Sequence, residues 1–186
     1  MLGIMDASPP SPSVELRTER LRLRPTQAAD LEPLTAILQE PAVARYWPGY
    51  DRERVAAELL TFDEDLTVLC VTSLEAPHAA IGVVQYAEER DPQYRHASMD
   101  LFLGGAWHGR GLGQEAIRAV LSHLFQTCGH HRVTIDPAED NHRALRAYEQ
   151  VGFRRVGVLR QYERRPDGVF DGVLLELLAQ DFRAPQ

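Results

Sequence analysis

The sequence predicts an α/β fold: a mixed sheet with helices on both faces, in a single domain. Three observations point there. Short apolar stretches with alternating or continuous burial patterns recur along the chain. Between them lie segments with apolar residues at helical spacing, such as Leu31, Leu34, Ile37 and Leu38. One of the apolar stretches, Met99 to Leu103, runs into the glycine-rich Trp107-His108-Gly109-Arg110-Gly111-Leu112-Gly113 and then into a long amphipathic run ending near Cys128. At 186 residues the chain can bury one proper core and is short for two. Alternation of strands with helices and the absence of an internal repeat give layers of helix on sheet.

Taken in order, residues 1 to 13, with Ser8-Pro9-Pro10-Ser11-Pro12, read as a flexible tail, and the domain as 14 to 186. Leu16, Leu21 and Leu23 alternate with Arg20, Arg22 and Arg24 in a half-buried strand that Pro25 ends. Thr26 or Asp30 can cap the next helix, and Pro41 breaks it. An aromatic loop, Tyr46-Trp47-Pro48-Gly49-Tyr50, precedes a second helix from about Arg52 to Phe62. Strands are expected at Leu66 to Thr72 and Ala80 to Tyr86, with a turn at Ala76-Pro77-His78. A further turn at Arg90-Asp91-Pro92-Gln93 leads into the strand from His96 to Leu103. The long helix, Gly111 to Thr127, should bury Ile117, Val120, Leu121, Leu124 and Phe125. His131 to Ile135 is the next strand, Asn141 to Gln150 the last helix, and Gly152 its C-terminal cap. Strands near Arg154 to Leu159 and Gly172 to Leu178, around a turn at Pro166-Asp167-Gly168, complete the chain.

Composition narrows the function classes. A net charge of −7 argues against nucleic acid as a partner, because binding phosphates needs clustered Lys and Arg. It suits a cationic substrate and equally serves solubility. Cys70 and Cys128 make no disulfide framework or zinc spacing, and His130-His131 has no ligand-type neighbours, so no metal site is expected. No apolar run approaches the roughly 20 residues of a membrane span. The N-terminus has no basic region followed by an apolar core, so a cytoplasmic location is expected.

The glycine-rich turn carries the first chemistry. Glycines at 109, 111 and 113 let a ligand approach the backbone. The unpaired N–H groups of the following helix's first turn, with the helix dipole, then suit a pyrophosphate. No Lys-Ser/Thr follows as in a P-loop, and the spacing misses the dinucleotide fingerprint. Asp136-Pro137 ends a strand, Asn141 opens a helix and Tyr148 follows seven residues later, before Val151-Gly152-Phe153.

With His108-Gly109-Arg110-Gly111-Leu112-Gly113, these words resemble the GNAT superfamily of N-acetyltransferases from about Leu16 to Phe182. The resemblance implies the acyl-CoA N-acyltransferase fold with splayed central strands, and acetyl-CoA as cofactor. It implies that the loop from His108 to Gly113 holds the pyrophosphate, that Asn141 contacts the cofactor, and that Tyr148 donates a proton to the departing sulfur. The backbone of Phe102 and Leu103 would hydrogen-bond the pantetheine arm, with one N–H facing the thioester oxygen. His108 stands where the family often has Gln or Arg, a small change if the contacts are backbone N–H groups. Tyr148 also has the spacing of a packing residue beside Leu145 and Val151, and Asn141 that of a helix cap.

Two acids stand out as candidates at the acceptor. Asp100 lies in an apolar strand, facing the same side as Phe102, where a carboxylate is costly without a partner or a task. In aminoglycoside 6'-N-acetyltransferases an Asp on the corresponding strand serves as base or amine anchor, and an Asp-Pro matching Asp136-Pro137 contacts the cationic sugar. Asp100 alternatively forms a buried salt bridge, and Asp136 alternatively caps a turn. Trp47 either lines the acceptor cleft or packs beneath its loop. The expected reaction is acetyl transfer to a primary amine of a small cationic acceptor. A protein N-terminal amine is the alternative, favoured by Leu16-Arg17-Thr18-Glu19-Arg20-Leu21-Arg22-Leu23-Arg24 and the ending from Gly157 to Asp171, which resemble ribosomal-protein acetyltransferases. A non-catalytic acyl-CoA sensor would need neither Tyr148 nor Asp100. Both enzyme branches admit a homodimer, and no apolar surface in the sequence argues for one.

Overall fold

Hairpins build most of the sheet. In the computed structural model, which describes residues 14–61 and 63–184, β1 (Leu16–Arg17) pairs antiparallel with β2 (Leu21–Pro25). The single strand expected here is two, because Thr18 turns the chain: its N–H donates to the Leu21 carbonyl and its hydroxyl accepts from the Leu21 N–H at 2.9 Å. The tail over residues 1–13, and Phe62 at the expected end of the second helix, lie outside the described residues. Alternation buries Leu21 and Leu23 as expected. Arg24 is buried too, because both its terminal nitrogens reach the Asp30 carboxylate at 2.7 Å. Asp30 thus holds an ion pair and the Gln27 N–H at 2.8 Å, and makes no side-chain cap for the helix that follows.

β3 (Leu66–Ser73), β4 (Ala76–Glu89) and β5 (His96–Leu103) continue the antiparallel run. The turn between β3 and β4 falls at Leu74–Glu75, so Ala76-Pro77-His78 belongs to the strand. β6 (Arg132–Ile135) lies parallel to β5, and β8 (Gly168–Leu178) and β7 (Arg154–Arg165) close the order β1-β2-β3-β4-β5-β6-β8-β7. β7 and β8 run longer than expected. β7 is an edge strand exposed along nearly its whole length, so it carries no alternating pattern to read.

Helices cover both faces. α1 (Leu31–Leu38), α2 (Pro41–Ala44) and α3 (Arg52–Leu59) pack Leu34, Leu38, Val55 and Leu59 against Val83 and Phe102. Pro41 ends α1 and also starts α2, since its fixed φ and missing N–H suit a first helical position. On the other face α4 (Leu112–Ser122) and α5 (His142–Val151) bury Ile117, Val120, Leu121, Leu145 and Tyr148. After Ser122 the chain widens into a π turn, His123–Thr127, which buries Leu124 but leaves Phe125 partly exposed.

The sheet opens at its centre. β5 and β6 pair only at Ala97↔Val133 and Ser98↔Thr134. Beyond that point β5 stays with β4 to Leu103, while β6 stays with β8 to Ile135. The wedge between them is where the site lies.

Candidate active site

A cleft of about 620 Å³ runs through this wedge, within the usual range for small-ligand sites. Its two ends are made differently.

At one end the wall is the glycine loop. Gly109 and Gly111 have φ of +73° and +76°, a conformation that other residues adopt only with strain. Gly111 thereby turns the chain into α4, whose first intrahelical bond is donated by the Glu115 N–H to the Gly111 carbonyl. The N–H groups of Leu112, Gly113 and Gln114 are left without helical partners, and all three residues line the cleft. Arg20 braces the loop from behind, donating to the Arg110 carbonyl at 3.0 Å and to Glu115 at 2.7 Å.

Of the predicted loop residues, His108, Gly109, Gly111, Leu112 and Gly113 line the cleft, and Arg110 does not. The side chain of Arg110 stacks instead over Trp107, 5.1 Å from the ring centre. The His108 ring bridges two walls: Nε2 donates to the Leu103 carbonyl and Nδ1 accepts from Arg143, both at 2.7 Å. Those partners set the tautomer, and burial holds the ring's pKa below its usual value, so it is neutral. Asn141 caps α5 by accepting the Ala144 N–H at 3.2 Å and also lines the cleft, so the cap does not take it away from the ligand side.

The β5 wall corrects one expectation. Gly104 donates its N–H to Ile81 on β4. Peptide groups alternate along a strand, so Phe102 also turns its N–H and carbonyl to β4, while those of Leu101 and Leu103 face the wedge. The Phe102 backbone is therefore taken up by β4 and the Leu101 N–H by Asp100 Oδ1 at 2.8 Å, so of the two residues expected to meet the pantetheine arm only Leu103 keeps an N–H facing the wedge. Phe102 contributes its side chain, which lines the cleft and meets Trp47 edge-on at 4.9 Å. Trp47 accordingly packs under its loop and lines the cleft at once.

At the other end the groups on offer are acids and phenols. Asp100 accepts the Leu101 N–H at 2.8 Å, the next residue along its own strand. Burial is the main reason its carboxyl is pushed up to about 7, and the charges of Asp136 and Glu163 act in the same direction. No cation pairs with it among the described ion pairs, which leaves the buried-salt-bridge alternative without support. Asp136, just past β6, is held by the Tyr162 hydroxyl. Glu163 is held by Arg165 at 2.9 Å. Arg165 also reaches Asp140 at 3.2 Å and stacks on Tyr46 and Phe170, clasping the loop after α2 to the β7–β8 hairpin.

Tyr148 lies between the two ends. It is 5% exposed, packs edge-on against Phe153 and lines the cleft, with no described hydrogen-bond partner for its hydroxyl. Burial, with the charges of Asp100 and Asp136, pushes its phenol well above the ordinary value, so it keeps its proton at neutral pH. Leu101, Arg143, Tyr162 and Glu163 were not singled out from the sequence. Of these only Leu101 had a readable signal, the strand alternation itself.

The residues present fit an acyl-CoA. Past Ser98 the facing edges of β5 and β6 do not pair, which leaves room for an extended arm, and the loop end offers free N–H groups at a helix N-terminus, where a Cβ on Gly109 would meet nothing within 4 Å. Among the described residues no helix is long and apolar enough to cross a membrane.

Comparison with known proteins agrees. Residues 20–154 match the family model described as acetyltransferase (GNAT) domain. The aminoglycoside N(6')-acetyltransferase type 1 of Klebsiella pneumoniae is 37% identical over 168 residues, spanning 81% of this chain and 80% of that protein. Among solved structures, the ribosomal-protein-S5-alanine acetyltransferase of Vibrio fischeri has a TM-score of 0.78 at 18% identity, over 91% of this chain and 99% of that one. A spermidine N-acetyltransferase of Vibrio cholerae, in complex with CoA and spermine, has a TM-score of 0.75 at 19% identity, over 88% and 98%. Likeness at these low identities speaks for the fold alone. With the family match spanning most of the chain and the splayed cleft behind it, this protein belongs to the GNAT acetyltransferase family and is an acetyl-CoA-dependent N-acetyltransferase.

Proposed function

We propose that the acceptor is a primary amine on a small polycationic molecule of the aminoglycoside type. The observation that carries this reading is the convergence of Asp100, Asp136 and Glu163 on one end of the cleft, beside Tyr46 and Trp47. Three carboxylates attract ammonium groups, and aromatic faces accept a sugar ring or an alkyl spacer. The Klebsiella relative's name supports the same class.

Acetyl-CoA, when bound, supplies an activated carbonyl and a thiolate leaving group. The loop from His108 to Gly113 and Asn141 would hold it, with Leu103 presenting its N–H group to the wedge. Asp100 takes a proton from the substrate ammonium, so that a neutral amine attacks. A carboxyl poised at about 7 is suited to that exchange at neutral pH. Tyr148 holds a proton at its hydroxyl for the sulfur that departs. Asp136 and Glu163 anchor further ammonium groups of the acceptor. Placing both reactants in one wedge supplies much of the barrier reduction.

Thiol release from acetyl-CoA tests this reading, measured across kanamycin, lysine, spermidine and peptides with free N-termini. Turnover on kanamycin well above the others is the expected result. Turnover confined to peptide amines would overturn it and make the acids anchors for a protein N-terminus.

A further inference from the structure

β7 leaves regular pairing at two places, between Arg155 and Gly157 and again beside the acceptor end. At the second its register shifts between Leu159 and Glu163. Within the shift Gln161 has φ +54°, a left-handed conformation that costs a non-glycine residue energy. The Gln161 N–H is tied to Asp171 Oδ1 on β8 at 2.7 Å. Next to Asp171 stands Gly172, where a Cβ would lie 2.8 Å from Cδ1 and 3.3 Å from Cγ of Tyr162. Those atoms are the root of the ring, which cannot swing aside as a flexible tip could. The ring therefore lies across Gly172, and its hydroxyl donates to Asp136 Oδ2. Tyr162 remains 53% exposed, so burial of apolar surface does not account for a strained turn and a bare glycine devoted to it.

Resting on the amine-acceptor reading above, we propose that Tyr162 is a positioning residue for the acceptor. Its phenol fixes one oxygen of Asp136, leaves the other for a substrate ammonium, and disperses the negative charge that Asp136 presents to Asp100. The groups facing these two acids are Glu163 and Tyr162 from β7, Tyr148 from α5 and Tyr50 from the loop before α3. Arg143 and Arg146 of α5 line the same cleft. Without the phenol, the full Asp136 charge bears on Asp100. That charge makes the Asp100 carboxylate harder to form, and the titration of Asp100 moves to higher pH.

Tyr162→Phe removes the hydroxyl and keeps the ring. Carboxyl carbon NMR of the whole chain, titrated without acceptor, should show the proton affinity of Asp100 raised roughly threefold or more. Gly172→Ala, which displaces the ring but retains the phenol, should shift it the same way. Identical titrations in the wild type and Tyr162→Phe would overturn the proposal. With kanamycin as acceptor, its KM should rise about tenfold while the KM for acetyl-CoA stays unchanged. Equal rises in both KM values would mark Tyr162 as merely structural and overturn the proposal as well. A wild-type protein inactive on kanamycin counts against the acceptor class alone, because the acceptor-free titration still decides Tyr162.

Discussion

At the loop end of the cleft the groups on offer are backbone: the N–H groups opening α4 and the N–H of Leu103. At the acid end they are side chains drawn from β5, β7, the loop after α2 and the segment after β6. Backbone donors keep their direction whatever the side chains are, so the loop tolerates His108 where the family often has Gln or Arg. Carboxylates at the acid end depend on one another for protonation and on distant residues for orientation. A ligand common to the whole family can be met by a fixed backbone scaffold. A ligand particular to this chain has to be met by side chains that vary one at a time.

Substitutions can break or sharpen that contrast. The largest effect is expected at Asp100→Asn, with kcat/KM down on the order of 10³-fold in a thiol-release assay and acetyl-CoA affinity retained. The deprotonated carboxylate is the working form, so wild-type kcat/KM should fall as pH drops through about 7 and level off above it. The Asn variant should lose that limb. Tyr148→Phe comes next, at about 10²-fold in kcat with acetyl-CoA still bound in calorimetry. Parallel loss of turnover and binding would make Tyr148 a packing residue.

Gly111→Ala carries the test to the other end. A Cβ at φ +76° strains the turn into α4, costing about 1 kcal/mol in denaturant unfolding and raising the acetyl-CoA KM about fivefold. The acceptor KM should not move. His108→Gln should be the mildest, within about threefold in acetyl-CoA KM, since Gln can still donate to the Leu103 carbonyl. A large loss there would show that side chains matter at the loop end too, and the contrast between the ends would fail.

Much of the loop end was legible because it is local. The glycine spacing, the helix behind it, Asn141 at a helix start and Tyr148 seven residues on all lie within short windows. Strand alternation also put Asp100 and Phe102 on one face, and the two cores separate as that alternation requires. Applied to the peptide groups, the same rule would have turned the Phe102 backbone away from the wedge, once β4 was known to be the neighbour. The burial of Arg24 was hidden in an alternating pattern that predicted exposure, because its partner Asp30 sits in a different element.

By itself, then, the sequence determined the order of elements, the glycine loop and the residues each helix and strand turns inward, since periodicity and turn chemistry act over a few residues. Tertiary structure alone decided where β5 and β6 part, which makes the wedge, and where β7 slips register at Gln161. It alone brought Tyr162 onto Asp136, across 26 positions of chain, and Asp100, Asp136 and Glu163 onto one cleft. Register and convergence depend on which strands become neighbours, and the long-range packing that chooses them leaves no mark in any short stretch of residues.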